Sequence, residues 1–229
     1  HGLGALAADA EHLGLAMHWP RQAVFLELPE HADPLPCQAR LLAALGGRAE
    51  HWSAALGERL VFWCRPVAHA DSLEHWLERA DARGWGVARL CAGDPAHDLA
   101  ELRASACAAR DLLDYARSRL PGRRVVTLDG HRLASLLFSQ RDSWQVRQLL
   151  APLQRLLDHD PQGSLAATLE SWCAHDGHAQ ACAQALGIHR NSLRYRLERI
   201  ASISGLDLAR LEHRQQLLLG LQLLVPRRG

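Results

Sequence analysis

The apolar positions of this chain fall into two regimes. Up to about residue 128 short apolar runs alternate with segments of helical period, and from Ser143 onward only the helical period remains. Residues 23–28 (AVFLEL) read as a strand between Pro20 and Pro29, and residues 39–45 as a helix closed by Gly46-Gly47. Two further strands, residues 51–55 and 59–64, flank Leu56-Gly57-Glu58, a connection of hairpin length. Residues 71–83 carry Leu73, Trp76, Leu77 and Ala80 at helical spacing, with Asp71 as cap and Gly84 as terminator. A strand at 87–91 follows. A long helix at 98–120 then turns Leu99, Leu102, Leu112, Leu113 and Ala116 inward, and residues 125–128 form a last strand after Pro121-Gly122. Alternating strands and helices around a central hairpin predict an α+β domain, with helices layered on a largely antiparallel sheet.

In the second regime residues 143–157 (SWQVRQLLAPLQRLL) place Val146, Leu149, Leu150, Leu153, Leu156 and Leu157 on one broad stripe, interrupted by Pro152. Core packing is the simplest use of that stripe, and an interdomain or dimer helix is the alternative. Asp158-His159-Asp160 reads as an exposed linker before the break at Pro161-Gln162-Gly163. Ser164 is placed to cap a helix with Leu165, Leu169 and Trp172 inward, and the leucine-rich residues 211–224 close the domain. Between them residues 179–200, AQACAQALGIHRNSLRYRLERI, read as two short helices joined by a tight turn. Ala179, Cys182, Ala183 and Leu186 suit close packing, Gly187 supplies a left-handed turn residue, and Ile188 is the expected plug of the turn. Leu193, Leu197 and Ile200 share one face of the second helix. The other faces present Arg190, Asn191, Ser192, Arg194, Tyr195, Arg196 and Arg199, which are the residue types of a DNA-reading helix. Arginine pairs with guanine and asparagine with adenine, while serine, tyrosine and further arginines reach phosphates.

Composition narrows the picture. With 229 residues, 48% of them apolar, the chain suits two modest domains. A formal net charge of +1 excludes a histone-like sheath, so affinity for nucleic acid must come from a local patch. From Ser164 to the end, arginines outnumber the acids Glu170, Asp176, Glu198, Asp207 and Glu212 by eight to five. The chain contains no lysine, and Asn191 is its single asparagine. No apolar run approaches the roughly 20 residues of a membrane helix and no signal-like start is present, so a cytoplasmic protein without membrane contact is expected. Six scattered cysteines without a CxxC pair are expected to be reduced and mostly buried. Cys173, His175, His178 and Cys182 crowd one turn, but their spacing matches no standard zinc signature, and no metal or cofactor is expected. GxSxG and HExxH are absent, and a lysine-free chain has neither a Walker lysine nor Schiff-base chemistry. No catalytic residue is assigned.

Residues 165–224, with HRNSLRYRLERI followed by SGLDL as the most specific part, resemble the C-terminal DNA-binding domain of the CdaR/PucR family of sugar-diacid regulators. Ser192 stands where a threonine is common. The same turn and helix are similar to the nucleoid protein Fis, which implies a Fis-like arrangement with the second helix in the major groove. By that resemblance Arg190, Asn191, Ser192, Arg194 and Tyr195 face DNA, with Arg196 and Arg199 nearer its backbone.

The resemblance also implies that the first domain is a degenerate GGDEF-like α/β sandwich. An active diguanylate cyclase carries two glycines and two acids in the central hairpin, whereas this chain has Leu56-Gly57-Glu58-Arg59-Leu60, with arginine where a metal-binding carboxylate is wanted. A dimerisation or signal-transmitting role is expected instead of catalysis. The implied organisation is a linker helix at 1–20, the GGDEF-like domain at 21–140, a connecting helix and linker at 141–162, and an all-α, Fis-like helix-turn-helix domain at 163–229. Family members usually carry a separate N-terminal effector domain, so this chain is expected to be a fragment or a short member that lacks the effector-selecting residues. The expected function is activation of glucarate-, galactarate- or glycerate-type catabolic genes by a homodimer on double-stranded operator DNA. Three alternatives stand beside it: a nucleotide- or cyclic-dinucleotide-sensing regulator, a purine-catabolism regulator of the same family, and a nucleoid-associated protein of the Fis kind.

Overall fold

Strand β1 (Arg21–Glu27) is buried along nearly its whole length, which a strand can be only when both its faces and both its edges are covered. The computed structural model, which describes residues 20–44, 52–56, 59–66 and 70–224, shows how each is met. Strand β2 (Trp52–Leu56) pairs with β3 (Arg59–Cys64) as an antiparallel hairpin with Leu56 opposite Arg59. β1 lies antiparallel between β3 and β4 (Arg89–Ala96), and β5 (Val125–Thr127) adds to β4 in parallel. The order is β2-β3-β1-β4-β5.

One face of β1 carries Val24 and Leu26, which join Leu60, Phe62 and Leu90 in a core with Cys37 and Leu41 of helix α1 (Pro34–Ala44) and Leu73, Leu77 and Ala80 of helix α2 (Ala70–Ala82). The other face is covered by α3 (Leu99–Arg119), which crosses β1 and β4 and buries Leu112, Leu113, Tyr115 and Ala116. A short helix, α4 (Arg132–Ser139), packs on α3. The result is a mixed sheet between helical layers, as the apolar pattern predicts.

Several boundaries differ from those expected, each for a local reason. Helix α1 begins at Pro34, because proline fits the first turn where no N–H partner is needed. Strand β4 begins two residues later than 87–91 predicts and continues past Cys91 through Gly93-Asp94-Pro95, where the ladder to β1 slips between Gln22 and Val24. At that irregularity the Ala23 N–H donates to Ser105 Oγ (3.2 Å), and the Ser105 hydroxyl donates to the Asp94 carbonyl (2.6 Å). A Cβ on Gly93 would lie 2.3 Å from the Ser105 carbonyl oxygen, so the close approach of α3 to the sheet requires glycine there. Helix α4 lacks an apolar period long enough to announce it. The expected linker helix at 1–20 lies almost entirely outside the described residues, as do the Gly46-Gly47 terminator and the hairpin residues Gly57 and Glu58. Arg59, the residue in the expected place of a metal-binding acid, donates to Asp114 Oδ1 at 2.6 Å.

The cysteines are free thiols, with Cys37, Cys91 and Cys182 buried and Cys107 exposed. Burial pushes the Cys64 thiol up to about 11 and the Cys91 thiol up to about 12, because a thiolate there would be desolvated.

The chain divides into two compact units between Ser139 and Gln140. The second unit is all helical: α5 (Trp144–Asp158), α6 (Ser164–Ala174), α7 (Ala179–Ala185), α8 (Arg190–Ser204) and α9 (Leu211–Leu224). Helix α5, within the segment 141–162 expected to connect the domains, puts Leu153 and Leu156 into one core with Leu165, Leu169, Ile200, Leu217 and Leu221. Its Pro152 sits inside the helix without ending it. Near that proline, where the ring disturbs the backbone ladder, the Leu149 carbonyl accepts from Gln216 Nε2 of α9 at 2.9 Å. Gly220 of α9 would meet the Leu153 side chain at 2.9 Å if it carried a Cβ, so the two helices pack at glycine distance.

Candidate nucleic-acid interface

Helices α7 and α8 form a helix-turn-helix whose angle is set by few residues. Gly187 stands at φ 63°, and the Ile188 N–H reaches back to the Ala183 carbonyl at 3.0 Å, a left-handed closure that glycine adopts without strain. Cys182, Ala183 and Leu193 make the buried contact between the two helices, with Trp172, Leu186, Ile188 and Leu197 packed around them. Ile188 is the plug of the turn, although half-buried. Helix α8 starts on His189, whose Nδ1 accepts the Asn191 N–H at 3.2 Å, and ends at Gly205 in the left-handed conformation. A histidine in that capping role was not legible from sequence, where Ser, Thr, Asp and Asn are the usual signals. The α8 C-terminus is tied down by Arg155 of α5, which donates to the Ser204 carbonyl at 2.7 Å.

The inner face of α8 is anchored by Leu193 and Ile200, both essentially inaccessible. Its outer face exposes Arg190, Asn191, Ser192, Arg194, Tyr195 and Arg199. Tyr195 is 62% exposed on that face. Among the described residues Arg190 and Arg199 make no hydrogen bond or ion pair. Arg194 lies 3.9 Å from Glu198 with both side chains largely solvated, a pair too weak to hold it. Arg196 differs from the rest: it is half-buried, and its Nη1 donates to Thr168 Oγ1 of α6 at 3.3 Å. The seven expected residues thus share one helix, six open to solvent and one tethered.

Two side chains that matter nearby were not expected. Asp160 was read as part of an exposed linker but is only 8% exposed. Its carboxylate accepts the N–H groups of Leu165 and Ala166 at 2.8 Å each and the Ser164 hydroxyl at 3.3 Å, so it caps α6 from four residues upstream in place of Ser164. Thr168, fully buried, donates to the Ser164 carbonyl at 2.7 Å while receiving Arg196. Three of the four residues weighed as metal ligands have hydrogen-bond partners, and Cys173 packs against the helical core. His175 Nδ1–H donates to the Ser171 carbonyl (2.8 Å), His178 Nδ1–H to the His175 carbonyl (2.9 Å) and the Cys182 thiol to Ser171 Oγ (3.4 Å). Among the described residues no three histidine, cysteine or acidic side chains are placed to hold a metal ion. No helix among them is long and apolar enough to cross a membrane.

This arrangement can be set beside known proteins. Residues 165–223 match the PucR C-terminal helix-turn-helix domain, and residues 2–115 match the GGDEF-like domain. The chain belongs to the CdaR/PucR family. The family is one of helix-turn-helix regulators, not enzymes. The carbohydrate diacid regulator of Escherichia coli is 34% identical over 155 residues, which are 68% of this chain and 40% of that protein. An uncharacterised Haemophilus influenzae protein is 32% identical over 112 residues, 49% of this chain and 30% of the relative. The chain therefore spans less than half the length of the curated relatives it matches. A crystal structure of the regulator of polyketide synthase expression from Bifidobacterium adolescentis overlaps 93% of this chain and 84% of its own, with 15% identity and a TM-score of 0.41.

Proposed function

We propose that this chain binds double-stranded operator DNA through the outer face of α8 and activates genes for catabolism of carbohydrate diacids. The observation that carries the reading is the contrast between the two faces of that helix. Leu193 and Ile200 fix its back with almost no exposure, while Arg190, Asn191, Ser192, Arg194, Tyr195 and Arg199 stand in solvent. A rigid helix with a guanidinium- and amide-rich face has the shape and donor set of a major-groove reader. In this reading Asn191 and Arg194 contact base edges and Arg199 a phosphate. The diacid regulon is supported by the likeness to the Escherichia coli carbohydrate diacid regulator.

One chain carries one such helix, so the functional unit is a cytoplasmic homodimer that reads two half-sites about 34 Å apart. The GGDEF-like unit serves dimerisation or transmission of an effector signal. Selection of bound fragments from sheared DNA of the source genome, with Asn191→Ala in parallel, tests the proposal. Recovery of a few promoters that share a two-fold motif, lost in the variant, is expected, and diacid-catabolism genes should lie beside them. Purine-catabolism genes in that position would redirect the regulon, and broad recovery without a motif would replace the regulator with an architectural DNA-binding protein.

A further inference from the structure

A groove of about 580 Å³ runs along α8 beside the face just described. One wall is the outer side of α8, with Asn191 at its end and then Ser192, Tyr195, Arg196 and Arg199. The facing wall is the bend between α5 and α6, which contributes His159, Gln162 and Ser164. Asp160 also borders it, but that carboxylate is turned onto the backbone N–H groups of Leu165 and Ala166, so its charge is answered within the α6 terminus. What is left facing the groove is two guanidinium groups with hydroxyl, amide and imidazole groups, set beside the apolar surfaces of Pro161, Leu165 and the Tyr195 ring.

The geometry points to this groove as the track for one strand of the DNA backbone, so that the duplex is held between α8 and the 159–164 bend and not by α8 alone. The inference rests on the DNA-binding reading. Three observations carry it. The groove is open, bordered over two turns by residues of the reading helix, and combines two guanidinium groups with apolar surface from Pro161, Leu165 and the Tyr195 ring, a mixture that suits the alternating phosphates and sugars of a nucleic-acid strand. Its cations sit on the same helix as the base-reading residues, so a strand flanking the major groove passes them as α8 enters. Finally, Arg196 is already fixed by Thr168 Oγ1, itself fixed by the Ser164 carbonyl, so part of the ordering of that long side chain precedes binding. Thr168 is a positioning residue for Arg196, and Gln162 is the residue of the opposite wall best placed for substitution because it is exposed.

The test uses the full chain and two duplexes of three helical turns, one carrying a recovered operator and one of random sequence, titrated over a range of salt. Gln162→Glu is expected to weaken binding to both duplexes by the same several-fold factor, because it places an anion against the backbone. Gln162→Arg is expected to tighten both and to steepen the log–log salt dependence by about 0.9, the increment for one added phosphate contact. Arg196→Gln should flatten that slope by a similar amount, and Thr168→Val should weaken both duplexes while Thr168→Ser restores them. Melting curves of the Gln162 variants should match the parent. A parent chain that binds DNA while both Gln162 variants bind like it overturns the groove and leaves the α8 reading standing. A parent chain that binds neither duplex overturns both. Inorganic phosphate at matched ionic strength should not compete, and competition specific to phosphate would assign the groove to a free anion instead.

Discussion

In the sheet unit Arg59, Arg117, Arg124 and Arg132 each reach a carboxylate at 2.6–2.7 Å, whereas in the helix-turn-helix unit Arg190 and Arg199 end in solvent with no partner among the described residues. The same side chain stands in two different settings. In the first unit the pairs join separate elements: Arg59 of β3 to Asp114 of α3, Arg124 before β5 to Asp81 of α2, and Arg132 of α4 to Asp94 of β4. Glu27 of β1 receives both Arg89 and Arg117. Those arginines fasten an architecture. On α8 the Arg190 and Arg199 guanidinium groups stand free in solvent among the described residues while Arg196 is held by Thr168, and in the proposed reading the two free groups are offered to DNA. Replacing an arginine of the first kind should alter stability and leave DNA binding alone, and replacing one of the second kind should do the reverse.

The largest effect is expected at the back of α8, where presentation and stability coincide. Leu193→Ala removes a side chain only 1% exposed at the contact between α7 and α8 and should destabilise the second unit by about 2–5 kcal/mol. Chemical denaturation followed through the helical signal will show it. A loss below half a kcal/mol would mean that α8 is not anchored as described, and the contrast between its faces would lose its footing.

Next come the exposed residues. Asn191→Ala or Arg194→Ala should reduce operator affinity by about 1–3 kcal/mol and relax sequence preference, if each meets a base edge. The melting transition should not move beyond the few tenths of a kcal/mol usual for surface changes. Arg199→Ala should weaken operator and random DNA alike. Equal losses on both duplexes for Asn191→Ala would place it on the backbone and end its role as a reader.

Much of this was visible before the fold was known, and what was not has a common cause. The α8 faces follow largely from period, because Leu193, Leu197 and Ile200 share one side and leave all the expected polar residues except Arg196 open to solvent. Gly187 marks the turn by composition. The sheet was readable only as far as its class, since strand order is set by long-range pairing and the slip between β1 and β4 involves Ser105 and Gly93, which no local pattern connects. Asp160, Thr168 and the tether on Arg196 were hidden for the same reason. Each acts through a contact made across a bend or between helices, whereas periodicity reports only one element at a time.

Asp160 itself gives a smaller, sharper test. Asp160→Ala strips two N–H groups at the α6 terminus of their acceptor and should lower the stability of the second unit by about 0.5–2 kcal/mol, with Asp160→Asn recovering part of it. Unaltered melting would show that water replaces the carboxylate freely and that the bend is less fixed than its hydrogen bonds imply.

The smallest expected effect belongs to the sheet unit and carries the opposite signature, sensitivity to acid. Hydrogen bonds from Arg124 and Arg132 hold the carboxyls of Asp81 and Asp94 below the ordinary carboxylate range. Because their folded values lie below the unfolded value of about 3.9, the unfolded chain binds more protons in acid. The pairs therefore stabilise fully above about pH 4, and that contribution is lost as pH falls through the folded values. Both pairs are substantially solvated, so each is a weak fastening and salt should weaken it further. Melting of the parent and of the Asp81→Asn, Asp94→Asn double variant, compared from pH 6 downward, should converge as acid removes what the variant already lacks. DNA affinity at neutral pH should be the same for both. A double variant that melts like the parent at pH 6 would mean that these arginines fasten nothing, and the distinction between paired and unpaired arginine would then rest on Arg59, Arg89 and Arg117 alone.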